Sequence, residues 1–450
     1  MYFNKFTIRN YKCFQNEQSM KFAVPKNDVN GSGITYLVGS NNSGKTTVIE
    51  GMSIKDQKDI RGSERVSSGD PEFQLFENDT VVRRCILERT ENSTITEKPK
   101  LSDDNTFEII SSRRHWVSSA NSNYGQLGQS FGTTHNLDNR QNNLDVGSEL
   151  KTFGTDAVKY QEFISLVKRV IPEFTKFAIA FEEGRYIEYI SNTGTRHKTE
   201  HLGDGVITVI RILLQLYAEK NNPIIIDEPE LSLHPSAQRK LLKVLAEYSR
   251  TRQIVISTHS PYMINWDYLK GGAVVNRVVK KDDKYSEIFS LKSFDKYEGL
   301  INSANWRTPF TMDEVAKEIF FMEDGILFLE GQEDVGLLKQ ETLLENVNIF
   351  AYGVRGKNNF KFALTLAKDL GYNKISCILD FGIDETKIAT ELKSEFPEYK
   401  IVQWNREDIR DKESKVSKVK AGYFDINGNK KADTGDYEEK ITEVVNFLST

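Results

Sequence analysis

One segment constrains the fold of this chain more than any other. Residues 39–46 read Gly-Ser-Asn-Asn-Ser-Gly-Lys-Thr, a complete G-x-x-x-x-G-K-[ST] loop. An apolar run at residues 34–38 precedes the loop, and a segment that can begin a helix follows it. A glycine-rich turn between a strand and a helix directs backbone N–H groups and the helix N-terminus at a polyphosphate. The sequence therefore predicts an α/β unit built around a phosphate-binding loop.

The residue types in this loop predict a site for a polyphosphate with a metal ion. Lys45 supplies a mobile positive charge for the β and γ phosphates, and Thr46 offers a hydroxyl to Mg²⁺. The other expected phosphate-binding residues come from the loop and the first turn of the helix: Gly39, Asn41, Asn42, Ser43, Gly44 and Thr47. The same string arises by chance in glycine-rich loops, so the residues around it have to support this interpretation.

Composition limits the class of protein. A chain of 450 residues exceeds one ordinary core and fits two or three domains. The net charge of -5 means that any DNA binding needs a local basic surface. Cys13, Cys85 and Cys377 are scattered, which argues against a disulfide framework and a zinc site and favours a reducing compartment. Since no apolar run approaches a membrane span or a signal peptide, we expect a cytoplasmic protein without a membrane partner.

Two further apolar runs end in polar residues. Residues 224–226 lead into Asp227 and Glu228, and residues 254–256 lead into a Ser-Thr-His-Ser segment that contains His259. Both runs predict parallel, neighbouring strands whose ends lie where the phosphate loop of a neighbouring strand opens. We therefore expect Asp227 to bind the metal, Glu228 to activate water and His259 to donate to a γ-phosphate. An Asp-Glu pair on its own is more often a solvated strand end.

Together these elements resemble the ABC-type ATPase heads of the OLD (overcoming lysogenisation defect) family and its SMC-like relatives. The resemblance covers roughly residues 1–300 and includes Leu202–Gly205, in the place of the ABC signature, and residues 226–230 and 257–260. It implies an α/β head that binds and hydrolyses ATP with Mg²⁺. Gly203, Asp204 and Gly205 would then contact the ATP of a partner in a homodimer or a higher homo-oligomer.

Some features of the family have weaker matches here. Many transporter heads have Ser where this chain has Gly203, and Gln74 is the candidate for the glutamine lid. Arg113 and Arg114 resemble an arginine patch, although an exposed basic loop explains them nearly as well. Residues 102–149 are poor in aliphatic side chains, which predicts loops rather than core, and about residues 50–200 we expect an inserted lobe.

A second α/β alternation begins at residue 326. Strands are predicted at residues 326–329, 347–352, 375–379 and 400–404, with helical stretches between them. This alternation predicts a separate small domain with a parallel sheet. We therefore place an ATPase domain at residues 1–320 and the second domain at residues 321–450.

Acidic residues follow two of these strands. The order of Glu330, Asp334 and Asp380 resembles a TOPRIM (topoisomerase-primase) domain, the small Rossmann-like nuclease half of OLD-family proteins. The resemblance implies that these acids hold one or two Mg²⁺ or Mn²⁺ ions at a phosphodiester. Gly382 stands where the usual Asp-x-Asp pair has its second acid, and Asp384 would replace that acid only in an unusual turn. The alternative is a degenerate domain in which these acids are solvated strand ends.

A basic run near the C-terminus has two interpretations. Lys412 is the candidate for the late basic residue that family nucleases use. Together with Lys415, Lys418 and Lys420 it would meet a DNA backbone, although a solvated helix face is the commoner explanation for such a run.

The sequence therefore supports two hypotheses about function. The first is an ATP-regulated, metal-dependent DNA nuclease of the OLD type that acts in defence against phage or other mobile DNA. The second is an ATPase sensor or scaffold whose degenerate TOPRIM domain docks a separate effector protein, either a nuclease or a toxin. A transporter ATPase subunit is a weaker third hypothesis, because it leaves the C-terminal α/β domain without a role.

Overall fold

The structure is a computed structural model that describes residues 2–53, 69–86, 107–111, 156–180, 186–191, 194, 196–198, 204–217, 222–281, 285–291, 315–412 and 420–449. The chain forms two compact units, Met1–Ile288 and Phe289–Thr450, called unit 1 and unit 2 below. The domain limit that we place at residue 320 from the sequence stays a prediction. Among the residues described, no helix combines the length and the apolar character needed to cross a membrane.

The elements of unit 1 alternate between strands and helices along the chain. In chain order its strands are β1 (Lys5–Arg9), β2 (Gln18–Lys21), β3 (Ile34–Val38), β4 (Glu72–Glu77), β5 (Thr80–Ile86), β6 (Glu108–Ser111), β7 (Phe174–Ala180), β8 (Tyr186–Ser191), β9 (Arg196–Lys198), β10 (Ile224–Asp227), β11 (Ile254–Ser257), β12 (Val274–Lys281) and β13 (Tyr285–Ser290). Its described helices are α1 (Lys45–Ser53), α2 (Ala157–Val170), α3 (Asp204–Tyr217), α4 (Pro235–Tyr248) and α5 (Trp266–Gly271).

A six-stranded sheet in the order β13-β12-β3-β11-β10-β6 forms the centre of unit 1. Strands β12, β3, β11, β10 and β6 pair in parallel. Every residue of β3, β10 and β11 is buried, as expected for parallel strands covered on both faces. The predicted pairing of β10 with β11 is confirmed, with Ile226 opposite Ile256. Strand β11 lies between β3 and β10. The phosphate loop follows β3, so the expectation that it opens beside a direct neighbour of β10, the strand that ends in Asp227, is wrong by one strand.

The loop prediction for residues 102–149 is wrong at one place. Residues 108–111 form β6, which pairs in parallel with β10 at the edge of the central sheet. The two isoleucines Ile109 and Ile110 are the apolar part of this short strand, and polar residues on both sides concealed it in the sequence. Residues 112–150 lie outside the described part of the chain.

Two smaller sheets complete unit 1. Strands β2-β1-β4-β5 form an antiparallel sheet, and its side chains contribute to a core cluster that includes Phe6, Phe14 and Val48. Strands β7, β8 and β9 pair in antiparallel order. The Asp156 side chain caps helix α2 by accepting from the N–H groups of two residues in its first turn.

Unit 2 contains the predicted parallel sheet. Its strands are β14 (Ile326–Leu329), β15 (Asn348–Ile349), β16 (Ile375–Leu379) and β17 (Lys400–Gln403), and its described helices are α6 (Gln332–Leu338), α7 (Phe360–Asp369), α8 (Ile383–Glu395) and α9 (Gly435–Ser449). The sheet has the order β15-β14-β16-β17 with all pairs parallel. Trp404, Tyr423 and Tyr437 pack against one another in its core. A 3-10 turn at Ala316–Phe320 precedes β14.

Candidate functional site

The phosphate loop runs from the end of β3 to the start of α1. Gly39 has a φ of +143°, and a Cβ at this position would lie 2.2 Å from the carbonyl oxygen of Val278. Gly44 has a φ of +111° and Asn42 a φ of +60°. Glycine adopts these left-handed conformations freely, and asparagine tolerates them better than most residues. The loop in this shape therefore requires the residue types that the sequence motif contains.

Lys45 is buried at the first position of α1. Its Nζ donates to the carbonyl oxygens of Gly39 at 3.1 Å and Ser40 at 2.9 Å. Burial lowers the pKa of Lys45 to about 8, although the negative charges of Glu228, Asp227 and Glu230 act in the opposite direction. The ammonium group therefore lies close to the acids that follow β10, and phosphate oxygens would be better partners for it than two carbonyl oxygens.

The other predicted phosphate-binding residues surround Lys45. Asn41, Asn42 and Thr46 are exposed and Thr47 is half-buried. Ser43 is buried, and its Oγ has no hydrogen-bond partner, while its carbonyl oxygen accepts from the Ser286 hydroxyl at 2.6 Å. A buried hydroxyl without a partner is rare in proteins, and a phosphate oxygen in the loop would satisfy it. The loop thus fits a bound polyphosphate.

The ends of β10 and β11 bring the predicted catalytic side chains together. Asp227 is buried, and Glu228 follows it with a φ of +51°. His259 Nε2 lies 3.4 Å from Glu228 Oε1, and the Glu228 N–H donates to the Ser257 carbonyl oxygen at 2.8 Å. A left-handed glutamate costs about 1 kcal/mol and persists only where the surrounding structure holds it. The structure therefore places two carboxylates near the Lys45 ammonium. Asp227 is a potential metal ligand, and Glu228 lies beside the His259 imidazole.

Glu230 is a site residue to which the sequence analysis assigned no role. Its Oε1 accepts from the His259 N–H at 2.6 Å, and its buried Oε2 has no hydrogen-bond partner. Burial raises the pKa of Glu230, while the hydrogen bond from the His259 N–H opposes this shift. Glu230 therefore fixes the backbone at His259. Its signal in the sequence is the second glutamate of the Asp-Glu-Pro-Glu run.

The signature segment is described in part. Gly203 lies outside the described residues, as do Arg113 and Arg114, and Asp204 begins α3. A Cβ on Gly205 would lie 2.4 Å from the Ser232 carbonyl oxygen, so glycine at 205 allows α3 to pack closely on the loop after β10. The predicted contact of this segment with the ATP of a partner stays a prediction.

Gln74, the candidate for the glutamine lid, lies in β4 of the antiparallel sheet rather than in the sheet of the phosphate loop. Its amide donates to Glu72 Oε1 at 2.6 Å. The lid function of Gln74 therefore stays a prediction. In the structure, the hydrogen-bond partner of Gln74 is Glu72 of the same strand.

Unit 2 contains a cluster of three aspartates. Ligand oxygens of Asp334, Asp380 and Asp408 all lie within 4.8 Å of one another. Asp334 lies in α6 just after β14, Asp380 follows β16, and Asp408 lies in the segment after β17. These three strands are neighbours in a parallel sheet, so their carboxyl ends meet at the same edge. The structure thus brings the predicted residues Asp334 and Asp380 together and adds Asp408, which the sequence analysis did not select.

The electrostatics of the cluster favour a bound cation. Burial raises the pKa of Asp334 to about 7, with Asp408 and Glu330 adding to the shift and a hydrogen bond from the Gly331 N–H opposing it. Burial also raises the pKa of Asp380 to about 8, and Asp334, Asp408 and Glu330 again add to the shift. Mutual repulsion between carboxylates disfavours their charged forms, and a divalent ion would remove this penalty. The donor set therefore fits Mg²⁺ or Mn²⁺.

Glu330, the third predicted ligand, lies beside the aspartate cluster but outside the group of three. Burial raises the pKa of Glu330, and the charge of Glu385 adds to this shift. Glu330 Oε2 has no hydrogen-bond partner. Asp384 does not belong to the group of three aspartates either. Its exposed carboxylate lies 3.4 Å from Lys357 Nζ.

The basic candidates divide into two sets. Lys412 Nζ lies 2.8 Å from Asp408 Oδ2 and 3.0 Å from Glu333 Oε2. Burial opposes the charged form of Lys412, but its hydrogen bonds to these two acids raise the pKa of Lys412 overall. Lys412 therefore stays charged at the edge of the cluster. Lys420 is exposed and pairs with Lys412 through the backbone, and Lys415 and Lys418 lie outside the described residues.

Comparisons with known proteins agree with a nucleotide-binding unit. Residues 34–265, more than half of the chain, match the model of the AAA_21 family, described as "AAA domain, putative AbiEii toxin, Type IV TA system". The OLD nuclease of Thermus scotoductus is 30% identical over 132 residues, which are 29% of this chain and 24% of that protein. The chain thus spans about a quarter of the length of the curated relative it matches.

Solved structures of SMC heads also align with the chain. The SMC head domain of Thermotoga maritima aligns with 65% of this chain and 100% of its own, at 16% identity and a TM-score of 0.39. The Smc head of Pyrococcus furiosus bound to the C-terminal domain of ScpA aligns with 67% of this chain and 99% of its own, at 13% identity and a TM-score of 0.44.

Proposed function

The chain belongs to the AAA_21 family, and we propose that it is an ATP-regulated, metal-dependent DNA nuclease of the OLD type. Unit 1 is a P-loop ATPase unit, and the proposal adds that its nucleotide controls phosphodiester cleavage in unit 2. The 24% of the OLD nuclease that the match covers is consistent with this assignment without establishing it. Defence against phage or other mobile DNA is the role that the family resemblance implies.

The proposed roles in the ATPase site combine the contacts seen there with the residue types of the motifs. Lys45 would exchange its carbonyl partners for the β and γ phosphates, and Thr46 and Asp227 would hold Mg²⁺. Glu228 orients the attacking water, and His259, which lies 3.4 Å from Glu228, donates to the γ-phosphate. Glu230 holds His259 in place through its backbone N–H. Hydrolysis therefore depends on positioning and charge rather than on a covalent intermediate.

The nuclease assignment rests on one observation, which is that three aspartates that follow three neighbouring strands have carboxylate oxygens within 4.8 Å of one another. Asp334, Asp380 and Asp408 would hold a divalent ion, which stabilises the charge that develops when a phosphodiester is hydrolysed. Glu330 lies next to this group, and Lys412 supplies a fixed positive charge at its edge.

Assembly through the ATPase units is a further part of the proposal. In the family that this chain resembles, the signature of one protomer closes over the nucleotide of another, and here Gly203, Asp204 and Gly205 occupy that place. We therefore expect a homodimer or a higher homo-oligomer that forms when ATP is bound.

The second candidate function is an ATPase sensor or scaffold that docks a separate effector protein. The observation in its favour is Gly382, which removes the second acid of the usual pair. The presence of Asp408 as a third ligand argues for the nuclease instead, because it completes a cation site without an acid at position 382.

Cleavage of supercoiled plasmid tests the assignment. The purified protein is incubated with Mg²⁺ or Mn²⁺, with and without ATP, and compared with Asp380→Asn and Glu330→Ala. We expect Asp380→Asn to lower the cleavage rate at least ~100-fold because the ion loses a ligand. The matched control is Glu391→Gln on the exposed face of α8, which we expect to cut at the wild-type rate. If the wild-type protein leaves the plasmid intact under every nucleotide condition, the sensor function is correct.

A further inference from the structure

We propose that Lys357 takes the place of a second divalent ion in the cleavage site of unit 2, so that this site works with one metal ion and one fixed ammonium group. The inference rests on the proposed nuclease function and specifies how its site handles charge. Three observations about the residues next to the aspartate cluster support it.

The first observation concerns the acid that is absent at position 382. A Cβ built on Gly382 would lie 2.1 Å from Glu385 Oε2. The Glu385 side chain, from the first turn of α8, therefore occupies the space into which a side chain at 382 would extend. Unit 2 retains a carboxylate at this place, and that carboxylate comes from three residues further along the chain.

The second observation is that this carboxylate already has a cation. Lys357 Nζ lies 2.7 Å from Glu385 Oε1 and 3.4 Å from Asp384 Oδ2. The hydrogen bond to Glu385 raises the pKa of Lys357, so the ammonium group is charged throughout the working pH range. A divalent ion bound by Glu385 would lie beside this ammonium group, whose positive charge would repel it.

The third observation is that the turn containing Lys357 also holds Glu330. The Gly356 N–H donates to the Glu330 carbonyl oxygen at 3.0 Å, and Gly356 has a φ of +110°, which glycine adopts without strain. Burial and the charge of Glu385 raise the pKa of Glu330, while the backbone N–H of Lys357 and the charge of its side chain oppose this shift. Lys357 is thus fixed between Glu330 and Glu385 by its own backbone and by an ion pair.

These contacts divide the acids of the site into two groups. Within the described residues, Asp334, Asp380 and Asp408 form the single group of three potential metal ligands. Glu330 and Glu385 form the second group, and their compensating charge is the ammonium of Lys357. In a two-ion site, each ion would stabilise one side of the displacement at phosphorus. Here the ammonium would contact a phosphate oxygen on the side where the second ion would lie.

The number of bound Mn²⁺ ions tests the proposal directly. The full chain is titrated with Mn²⁺ in a calorimeter, and ions that bind outside the cluster are counted in Asp380→Asn and subtracted. We expect one ion per chain in the wild type and two in Lys357→Met, because Glu330 and Glu385 then lack their cation. The matched control is Lys361→Met, which removes a lysine of the nearby α7 that pairs with Glu395 of α8, and this variant should keep one ion.

Cleavage supplies a second readout. At low Mn²⁺, Lys357→Met should cut plasmid ~100-fold more slowly than the wild type, since one charge at the phosphate is lost. At high Mn²⁺ the rate should recover, because a second ion enters. If Lys357→Met cut slowly only because the chain had lost stability, added Mn²⁺ would not restore the cleavage rate. Lys357→Arg keeps the charge, so it should bind one ion and cut without this requirement for high Mn²⁺.

Two results would overturn the role of Lys357. One is a wild type that binds two ions in unit 2, and the other is a Lys357→Met chain that binds one ion and cuts as the wild type does. A different result concerns the nuclease function itself. If the wild type binds no Mn²⁺ beyond that seen in Asp380→Asn and cuts no DNA, the proposed function fails, whatever Lys357 does.

Discussion

Lys45 is the residue on which we expect nucleotide binding to depend most. Its ammonium group is buried against two backbone carbonyls and lies near three carboxylates. Burial brings its pKa to about 8, so a part of the population is neutral in weakly alkaline solution. Phosphate oxygens favour the charged form. Binding of ATP should therefore be linked to the protonation of this one side chain.

This linkage predicts that ATP binding takes up a proton above pH 8. Calorimetry at pH 8.5 in two buffers of different ionisation enthalpy should give different binding enthalpies, and the difference should shrink at pH 7, where Lys45 is already charged. Lys45→Ala should lose ~100-fold in ATP affinity together with the proton uptake. Lys243→Ala, an exposed lysine on α4, is the control that should behave as the wild type. Equal enthalpies in both buffers at pH 8.5 would contradict the pKa of Lys45.

Glu228 is predicted to act on water rather than on ATP binding. In Glu228→Gln the amide keeps the shape of the side chain but loses the negative charge, so hydrolysis should fall at least ~100-fold while ATP affinity is kept. Trapped ATP should then stabilise the assembly, which particle-mass measurement with and without ATP would detect. Wild-type hydrolysis in this variant would remove the proposed role of Glu228.

At the scale of secondary-structure elements, strand ends explain what the sequence could predict. Strands β10 and β11 were predictable as neighbours because each is a short, fully apolar run that ends in polar residues. The same rule applied to β17 misses Asp408, because four residues lie between this aspartate and Gln403, the last residue of the strand. Proximity in the fold, rather than adjacency in the chain, brings Asp408 to Asp334 and Asp380.

Other elements were hidden for physical reasons. Strand β6 has only two aliphatic residues, Ile109 and Ile110, so its membership of the central sheet depends on pairing with β10 and not on its own pattern. The insertion of β11 between β3 and β10 is a matter of topology, which periodicity does not contain. The role of Glu230 was not predictable from the sequence either, because only the folded structure shows that its carboxylate accepts a hydrogen bond from the His259 backbone N–H.

The contact between α3 and the loop after β10 gives a prediction at this scale. Gly205→Ala places a Cβ 2.4 Å from the backbone oxygen of Ser232, which cannot move aside as a flexible side chain would. Unfolding by denaturant should show a loss of ~1–3 kcal/mol, and ATP hydrolysis should fall with it. Gly336→Ala in α6 is the control, since a Cβ there meets no atom within 4 Å. A Gly205→Ala chain as stable as the wild type would show that this packing is looser than described.

For the molecule as a whole, we propose that one chain carries two sites that act on phosphate groups. Unit 1 carries the phosphate loop with the acids and the histidine at the ends of β10 and β11. Unit 2 carries the aspartate cluster with its flanking lysines. The family match covers the first of these, and the proposal for the second depends on Asp408 as a third potential metal ligand. The central claim is that the nucleotide in unit 1 sets the rate of cleavage in unit 2.

The most direct test of this claim is the plasmid cleavage rate in Mn²⁺, measured with ATP and without nucleotide for the wild type and for Lys45→Ala. The account predicts that ATP changes the wild-type rate at least ~10-fold, a difference of ~1.4 kcal/mol in barrier height. The Lys45→Ala chain should cut plasmid at the same rate with ATP and without nucleotide. A wild-type rate that is the same with and without ATP would contradict the account.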